Sequence, residues 1–509
     1  MNAIFVTMGS MYRAYFDAYQ NIEEEIDRVG FYVSDRYYFE KNRGDDDSVV
    51  YLKEWEIVDE LSKVKLSREQ IREYESNYFD DESFWNALNN DRRIFLGKYV
   101  KNRQDYTPSY GYEDMLKLFQ LFTQKIENFI SEIQPNAVFG MTPSTIGDYL
   151  FYRVTRAKKI PYYTLKTIKV GKYQTFTSTI SEEHYHIQEM FDRYMASKEE
   201  IEPDILENAR VYLDKFEKGD TAYEGNVARP KAYPLITVDY LVVFLKSLVR
   251  DVLNISKLKD HHSRGSLALK HLYNFPIKNY RSRRFKEQTR SRTIFELDKI
   301  SSEEYIFFPL HAEPEIAISN YARVYQNQIE FIRNVSLQLP SRYKLLVKEH
   351  PRNIGRRTDG YYKKILDIPN VDFADFELSS IEVVKRSKLI IVLSGNIGLE
   401  AVLNRVPVIS FGNTSYNMLP NTMVNYLDNI KDLYVEIEKT IDSYSYSRDT
   451  IEKFISAIIK NSFELDLYTV LLQKSGREGG STFNKTIYNQ NVDMFSKEIK
   501  SRLIMSHNE

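Results

Sequence analysis

Between residues 304 and 412 the chain alternates short apolar runs with helical patterns, and this alternation strongly limits its fold. The runs EYIFFPLH (304–311), KLLVKEH (344–350), KLIIVLS (388–394) and PVISFG (407–412) have the length and composition of strands buried on both faces. The segments between them show helical spacing of apolar residues. Strand and helix alternating in this way predict a parallel, doubly wound α/β sheet.

The N-terminal part predicts a second sheet of the same kind. AIFVTMGS (3–10) has the pattern of a strand followed by a glycine loop, and NAVFGM (136–141) that of a short strand. GDYLFYRVTRAKK (147–159) then predicts a helix and IPYYTLK (160–166) a strand, which together form a βαβ unit. Residues 23–125 predict mainly helices and loops that cover this sheet. Two α/β sheets in one chain favour two domains that face each other across a cleft.

The predicted domains follow from these patterns. Residues 1–180 predict an N-terminal Rossmann-like domain, and residues 301–440 predict a C-terminal Rossmann-like domain. Residues 181–300 predict long polar helices that link them, and residues 441–509 predict C-terminal helices. SGREGGST (475–482) interrupts those last helices and predicts a mobile loop.

A local excess of positive charge lies in the linking region. Residues 246–292 contain thirteen Lys and Arg against three Asp and Glu, although the whole chain has a net charge of −2. One interpretation is a solvated helical face balanced by acids elsewhere in the chain. The other is a surface that faces a polyanion or an anionic membrane. Nucleic acid is disfavoured as a partner because no aromatic–glycine RNA-binding signature accompanies the charge.

Composition places the chain among ordinary globular proteins. It is 42% apolar and 28% charged, and it has no cysteine, which excludes disulfides, thiolate metal sites and cysteine nucleophiles. The N-terminus lacks the pattern of a signal peptide, and the longest apolar run, 240–245, is far shorter than the ~20 residues of a bilayer span. We therefore expect a soluble cytoplasmic protein, with peripheral contact to the inner face of the plasma membrane as a further possibility.

The motif VLSGNIGLEAVL (392–403) predicts an anion site where a strand ends and a helix begins. Unpaired amides and the positive end of the helix dipole attract anions there, and Ser394 and Asn396 add side-chain donors. Gly395 allows a ligand to approach closely, and Glu400 could accept hydrogen bonds from the vicinal hydroxyls of a sugar. The alternative interpretation is a tight strand–helix turn with a surface glutamate.

Two further strand ends carry polar groups. In KEHP, Pro351 must end the strand, which leaves Lys348 and His350 at its carboxyl edge. His350 could donate to a phosphate oxygen that Lys348 neutralises, or it could be an exposed histidine at a capped strand end. Carboxyl ends of strands in such sheets are where ligands bind, so the coincidence of two motifs there favours a binding site.

The third strand end is FFPLHAEPE (307–315), which places His311, Glu313 and Glu315 within five residues. Such a titratable cluster could supply acid–base groups or acceptors for sugar hydroxyls. We expect no bound metal and no cofactor. The one close group of aspartates, GDDDS (44–48), has the composition of a solvated loop, and the chain has no P-loop, GxSxG, HExxH or GxGxxG motif.

Taken together, the blocks IFFPLHAEPE, KLLVKEHP and SKLIIVLSGNIGLEAVLNRVPVISFGNTSYN resemble the capsule polysaccharide biosynthesis family. These are bacterial glycosyltransferases of the GT-B architecture, related to Kdo transferases, with two facing Rossmann-like domains. The resemblance covers residues 305–420. It implies that the domain of residues 1–180 takes the acceptor and that the domain of residues 301–440 takes the nucleotide-sugar. It implies transfer of a sugar from a nucleotide donor, with a CMP-Kdo-like donor as the specific expectation, to a capsule or other surface polysaccharide, free or lipid-linked.

The resemblance also implies roles for individual residues. His350 and Pro351 would hold the donor phosphate, and the sequence from Ser394 to Asn396 would complete that site. Glu400 would contact the nucleotide ribose. The Gly395–Asn396 pair stands where relatives commonly carry Gly-Thr or two hydroxyl residues, a departure that bears on the CMP assignment.

The catalytic base is left open among three residues: Asp148, which follows the turn after 136–141, Glu313 and Glu315. Asp148 could equally be a first-turn residue that the helix dipole favours. Two other functions remain compatible with the pattern. One is a nucleotide-sugar 2-epimerase, and the other is a non-catalytic protein of polysaccharide assembly that retains the nucleotide fold.

Overall fold

The computed structural model describes residues 1–42, 48–97, 107–220, 238–255, 265–474 and 481–508. The predicted loops at 44–48 and 475–482 lie almost entirely outside these residues. The described chain contains two seven-stranded sheets. Their strands are β1 (Asn2–Thr7), β2 (Arg28–Val33), β3 (Val49–Lys53), β4 (Ala137–Met141), β5 (Tyr162–Thr167), β6 (Tyr173–Thr177), β7 (Thr293–Ile294), β8 (Tyr305–Pro309), β9 (Lys344–Lys348), β10 (Val371–Ala374), β11 (Leu389–Val392), β12 (Val408–Ser410), β13 (Val424–Tyr426) and β14 (Phe463–Glu464).

The N-terminal sheet has the strand order β14-β6-β5-β4-β1-β2-β3. Its strands β1 to β5 pair in parallel, whereas β6 runs antiparallel to β5 and β14 antiparallel to β6. The strands β2 and β3 lie in the region for which the sequence predicted mainly helices and loops. The C-terminal sheet has the order β13-β12-β11-β8-β9-β10-β7, and every pair in it is parallel. This topology confirms the predicted α/β fold with two Rossmann-like domains.

Helices cover both sheets and form most of the region between them. The α-helices are Met11–Gln20, Arg36–Asn42, Glu54–Asp59, Arg68–Tyr78, Trp85–Asn90, Arg92–Phe95, Tyr112–Ile133, Ile146–Ala157, Tyr185–Met195, Pro203–Glu217, Val238–Leu253, Leu267–Leu272, Lys278–Thr289, Leu297–Ser302, Gln328–Leu337, Asp359–Leu366, Ser380–Arg386, Asn396–Leu403, Leu433–Asp442, Arg448–Lys460 and Lys485–Asn508. In the described parts of the chain, no helix is both long enough and apolar enough to cross a membrane.

The C-terminal helices return to the N-terminal domain. The ring of Phe495, on Lys485–Asn508, lies 5.1 Å from that of Tyr15 and 6.1 Å from that of Phe176, centre to centre. Strand β14 extends the N-terminal sheet by pairing with β6. The sequence predicted helices for residues 441–509 but gave no sign that their apolar faces are buried against the other end of the chain.

The carboxyl edges of the two sheets meet. The hydroxyl of Tyr321, which follows β8, lies 3.1 Å from Oγ1 of Thr142, beyond β4, and 3.0 Å from Nζ of Lys166 on β5. Asn320 Nδ2 also donates to the carbonyl of Pro143 at 3.0 Å. Ligands of open α/β sheets bind at carboxyl strand ends, and this junction brings such strand ends of both domains together.

Candidate functional site

The turn between β11 and Asn396–Leu403 has the features of an anion site. Gly395 has φ +99° and ψ 174°, a combination that is essentially confined to glycine. The preceding Ser394 is 1% exposed, and its Oγ has no hydrogen-bond partner among the described residues. A buried hydroxyl without a partner is costly, so a bound ligand at this helix N-terminus would satisfy it.

His311 packs directly against this turn. A Cβ at position 395 would lie 3.2 Å from His311 Cε1, so the imidazole fills the space that a side chain would need. His311 is 7% exposed, and its Nδ1 lies 3.9 Å from the carboxylate of Glu315. Its Nε2 is buried and has no partner in the described chain. Two neighbouring polar atoms, Ser394 Oγ and His311 Nε2, are therefore available to a ligand.

Glu315 and His350 form the next part of the site. Burial acts to raise the pKa of Glu315, but the contact with His311 and the neighbouring charges outweigh it and lower that pKa to about 2. Burial lowers the pKa of His350 to about 4, so its ring is neutral near pH 7. His350 Nδ1 accepts a hydrogen bond from the Arg352 amide at 3.1 Å, which assigns the ring proton to Nε2. The neutral ring can thus donate to an anionic oxygen. Pro351, between His350 and Arg352 in the chain, is half-buried.

A buried cluster of charged side chains around Arg357 lies under the site and fixes the loops that carry His311 and His350. Arg357 is fully buried, and it donates from Nη1 to Glu313 at 2.7 Å and from Nε to Glu349 at 2.8 Å. It also donates from Nη2 to the carbonyl of His311 at 2.6 Å. Glu313 receives further hydrogen bonds from Gln328 Nε2 and the Tyr361 hydroxyl. Glu313 is therefore engaged in fixing the His311 loop.

Lys348 and Glu400 lie at the margins of this arrangement. Lys348 is 3% exposed and donates to the carbonyl of Phe376, beyond β10, at 3.2 Å. Glu400 lines a small pocket with Asn396 and, from other segments, Lys169 and Tyr212. Asn396 begins the helix at the anion site and also lines this pocket, so the two features adjoin. The structure thus brings together His311, Glu315, His350, Ser394, Gly395 and Asn396, and it places Glu400 one helical turn further on.

Asp148 lies in the facing domain, at the start of Ile146–Ala157. It is 5% exposed, and its Oδ2 accepts a hydrogen bond from the Ser144 amide at 3.2 Å, while Oδ1 has no partner in the described chain. Burial, with a contribution from the charge of Glu54, raises the pKa of Asp148 to about 7. The turn that carries Ser144 also carries Thr142 and Pro143, which contact the C-terminal domain.

Sequence reasoning missed the residues that join the two domains. Burial lowers the pKa of Lys166 to about 7, and its Nζ donates to Thr142 Oγ1 at 2.8 Å, to the Ile180 carbonyl at 2.6 Å and to the Tyr321 hydroxyl. A lysine near the end of a strand in IPYYTLK was the available signal.

Sequence reasoning also missed Arg357, the buried cation under the site. Arg357 follows the KEHP motif by six residues, in a segment with no recognisable pattern.

Comparison with known proteins gives one family match. The family model of capsule polysaccharide biosynthesis proteins matches residues 242–432. No curated protein matches the sequence. The matched range contains the three strand-end motifs, all of which stand at the site described above.

Comparison with solved structures gives only weak similarities. KpsC from Thermosulfurimonas dismutans, a β-Kdo 2,7 transferase, is 12% identical with a TM-score of 0.36, over 74% of this chain and 89% of that one. UDP-GlcNAc 2-epimerase from Neisseria meningitidis is 11% identical with a TM-score of 0.26, over 90% and 99%. The N-terminal domain of Candida albicans trehalose-6-phosphate phosphatase is 10% identical with a TM-score of 0.30, over 99% and 97%. These values are too low to assign a function to this chain.

Residues 242–432 of this chain are thus similar to the capsule polysaccharide biosynthesis family, the family that its sequence motifs resemble.

Proposed function

We propose that this protein is a glycosyltransferase that moves a sugar from a nucleotide-sugar donor to a capsule or other surface polysaccharide. One observation carries the proposal. Two buried side chains, Ser394 and His311, present polar atoms without partners beside a glycine of positive φ at a helix N-terminus. Such an arrangement fits the phosphate groups of a nucleotide-sugar.

In this proposal the C-terminal domain holds the donor. The amides at the start of Asn396–Leu403, Ser394 Oγ and His311 Nε2 bind the phosphate oxygens, and His350 donates from Nε2. Pro351 fixes the direction of the chain beside that histidine. Glu400 accepts hydrogen bonds from the ribose in the pocket it shares with Tyr212. A CMP-Kdo-like donor is the first to test, because the sequence motifs resemble those of Kdo transferases.

The N-terminal domain supplies the acceptor side of the cleft and the base. Of the three candidate bases, Glu313 is paired with Arg357, and Glu315 has a pKa of about 2, far below the range of an efficient base near neutral pH. Asp148, with a pKa of about 7, matches that range. We therefore assign to Asp148 the removal of the acceptor proton.

The reaction then follows from these placements. The acceptor hydroxyl attacks the anomeric carbon of the donor sugar and gives its proton to Asp148. The bond between the anomeric carbon and the nucleotide phosphate breaks, and the departing phosphate takes the electron pair. The helix N-terminus, His311 and His350 stabilise the negative charge that develops on that phosphate.

The test is an assay of purified protein with CMP-, UDP- and GDP-sugars, each with and without capsule-type oligosaccharide acceptors. A transferase releases the nucleotide only when an acceptor is present. Conversion of the sugar without acceptor would instead establish an epimerase, and nucleotide binding without turnover would establish a non-catalytic assembly protein. The Asp148→Asn variant keeps the donor site. It should bind the nucleotide-sugar like the wild type but should not transfer its sugar, so that little free nucleotide forms even with acceptor present.

A further inference from the structure

The helix Val238–Leu253 turns its apolar face outward. The sequence predicted polar helices for this region, but most large apolar side chains of this helix are exposed. They include Val238, Leu241, Val242, Leu245, Leu248, Val249, Val252 and Leu253, with exposures between 43% and 78%. At 3.6 residues per turn these eight form one uninterrupted stripe, an arc of roughly 140° that contains no charged residue.

The opposite face of the helix anchors it to the protein. Asp251 accepts hydrogen bonds from Ser266 Oγ at 2.6 Å and from the amides of Leu267 and Ala268 at 3.1 and 2.9 Å. The ring of Tyr240 stacks on that of Phe275 with 4.7 Å between the ring centres. The polar side is thus fixed against the next helix, Leu267–Leu272, and the apolar stripe is held toward the outside.

Positive charge borders the stripe. Lys246 and Arg250 are exposed along one flank, and neither forms an ion pair with a described residue; the acid on that flank is Asp239, in the first turn. An apolar stripe bordered by Lys and Arg is the pattern of helices that lie in the interface of an anionic membrane.

We propose that this stripe docks the protein on an anionic phospholipid bilayer, with Val238–Leu253 parallel to the membrane plane. The helix inserts its apolar side chains among the headgroups while Lys246 and Arg250 contact lipid phosphates. Its sixteen residues extend about 24 Å, a length suited to lying on a membrane. A second copy of this chain is a poorer occupant, because pairing two such faces would bring two basic segments together. The proposal does not depend on the transferase reaction.

Sedimentation with unilamellar vesicles tests this assignment. We expect the wild type to bind vesicles that contain phosphatidylglycerol and phosphatidylcholine, to bind pure phosphatidylcholine more weakly, and to be released by salt. Leu245→Glu and Leu248→Glu should each lower the partition coefficient by more than about tenfold, since burial of one leucine contributes at least that much. Val435→Glu is the matched control, because Val435 is an exposed valine on a helix of the C-terminal domain, and it should bind as the wild type does.

Two results would overturn the proposal. One is absence of binding to anionic vesicles by a correctly folded wild type. The other is a dimer in analytical ultracentrifugation that Leu245→Glu converts to a monomer while vesicle binding is unchanged, which would identify a second copy as the occupant. Both residues are exposed, so circular dichroism of the variants should match the wild type and a folding defect can be separated from a binding defect.

Discussion

The imidazole of His311 lies against Gly395, so that a methyl group at position 395 would come within 3.2 Å of His311 Cε1. This contact joins the loop after β8 to the turn after β11. It also brings His311 Nε2 and Ser394 Oγ, both buried and without partners in the described chain, to the N-terminus of one helix. The anion site of the proposed donor pocket depends on this contact.

Gly395→Ala should therefore disrupt nucleotide binding. The backbone conformation at Gly395 costs a residue with a side chain about 1–3 kcal/mol, and the added methyl group displaces His311. We expect the thermal stabilisation by added nucleotide to disappear, since that stabilisation follows ligand affinity by mass action. Gly360→Ala is the matched control, because a Cβ there meets no atom within 4 Å. Equal nucleotide-dependent shifts in the two variants would remove this turn from the donor site.

Asp148→Asn tests the proposed base through its pH dependence. Turnover should rise with pH through about 7 in the wild type, and the variant should lose about 10²–10⁴-fold in rate. A pH–rate profile without an ionisation near 7, together with an active Asn variant, would contradict the assignment.

The same variant has an expected effect on stability. Because the folded-state pKa of Asp148 is raised, its contribution favours the folded state below pH 4 and is lost as pH rises to about 7. As pH rises from 4 to 8, the free energy of unfolding of Asp148→Asn should therefore increase by about 2–4 kcal/mol relative to that of the wild type. Urea unfolding at several pH values measures this difference, and a pH-independent difference would show that Asp148 does not titrate near 7.

His350→Asn should change the pH dependence of stability in the opposite sense to Asp148→Asn, because the folded-state pKa of His350 is lowered and not raised. The folded-state pKa of His350, about 4, is below the unfolded value of about 6.5, so the stability it contributes is present above pH 6.5 and is lost toward pH 4. The Asn side chain can still accept from the Arg352 amide but cannot titrate or donate from the Nε2 position. As pH falls from 6.5 to 4, the free energy of unfolding of the variant should decrease by about 2–3 kcal/mol less than that of the wild type. The variant should also bind nucleotide more weakly.

Arg357→Met should destabilise the C-terminal domain by about 3–5 kcal/mol, because Glu313 and Glu349 would remain buried without their cation. The midpoint of urea unfolding measures the effect. Arg333→Met removes an exposed ion pair with Glu330 and should leave that midpoint nearly unchanged. Similar midpoints for the two variants would show that the buried cluster does not stabilise the fold.

Glu400→Ala separates the ribose pocket from the phosphate site. If Glu400 accepts hydrogen bonds from a ribose, calorimetric titration should show nucleotide affinity weakened by about 1–3 kcal/mol. Affinity for inorganic pyrophosphate should stay the same, because that ligand has no ribose. Equal nucleotide affinity in wild type and variant would exclude Glu400 from the site.

The strand-end motifs were readable because their patterns are local. The apolar runs that became β8, β9 and β11 end near Pro309, Pro351 and Gly395, and parallel topology requires their carboxyl ends to share an edge. Local pattern failed for β2 and β3, which are short strands among charged helices. It also failed between β8 and β9, where the sequence shows helical spacing but residues 317–325 form two short turns that position Tyr321 against Thr142 and Lys166.

By itself, the sequence determined that two α/β sheets form and which residues stand at the strand ends of the second. Hydrophobic periodicity and strand-ending residues act over a few positions, so they are visible in the chain. Only the tertiary structure decided that Arg357 binds Glu313, that Glu400 faces Tyr212, and that the stripe on Val238–Leu253 points outward. Those outcomes depend on contacts between distant segments, where burial and charge pairing select one arrangement from several that the local pattern allows.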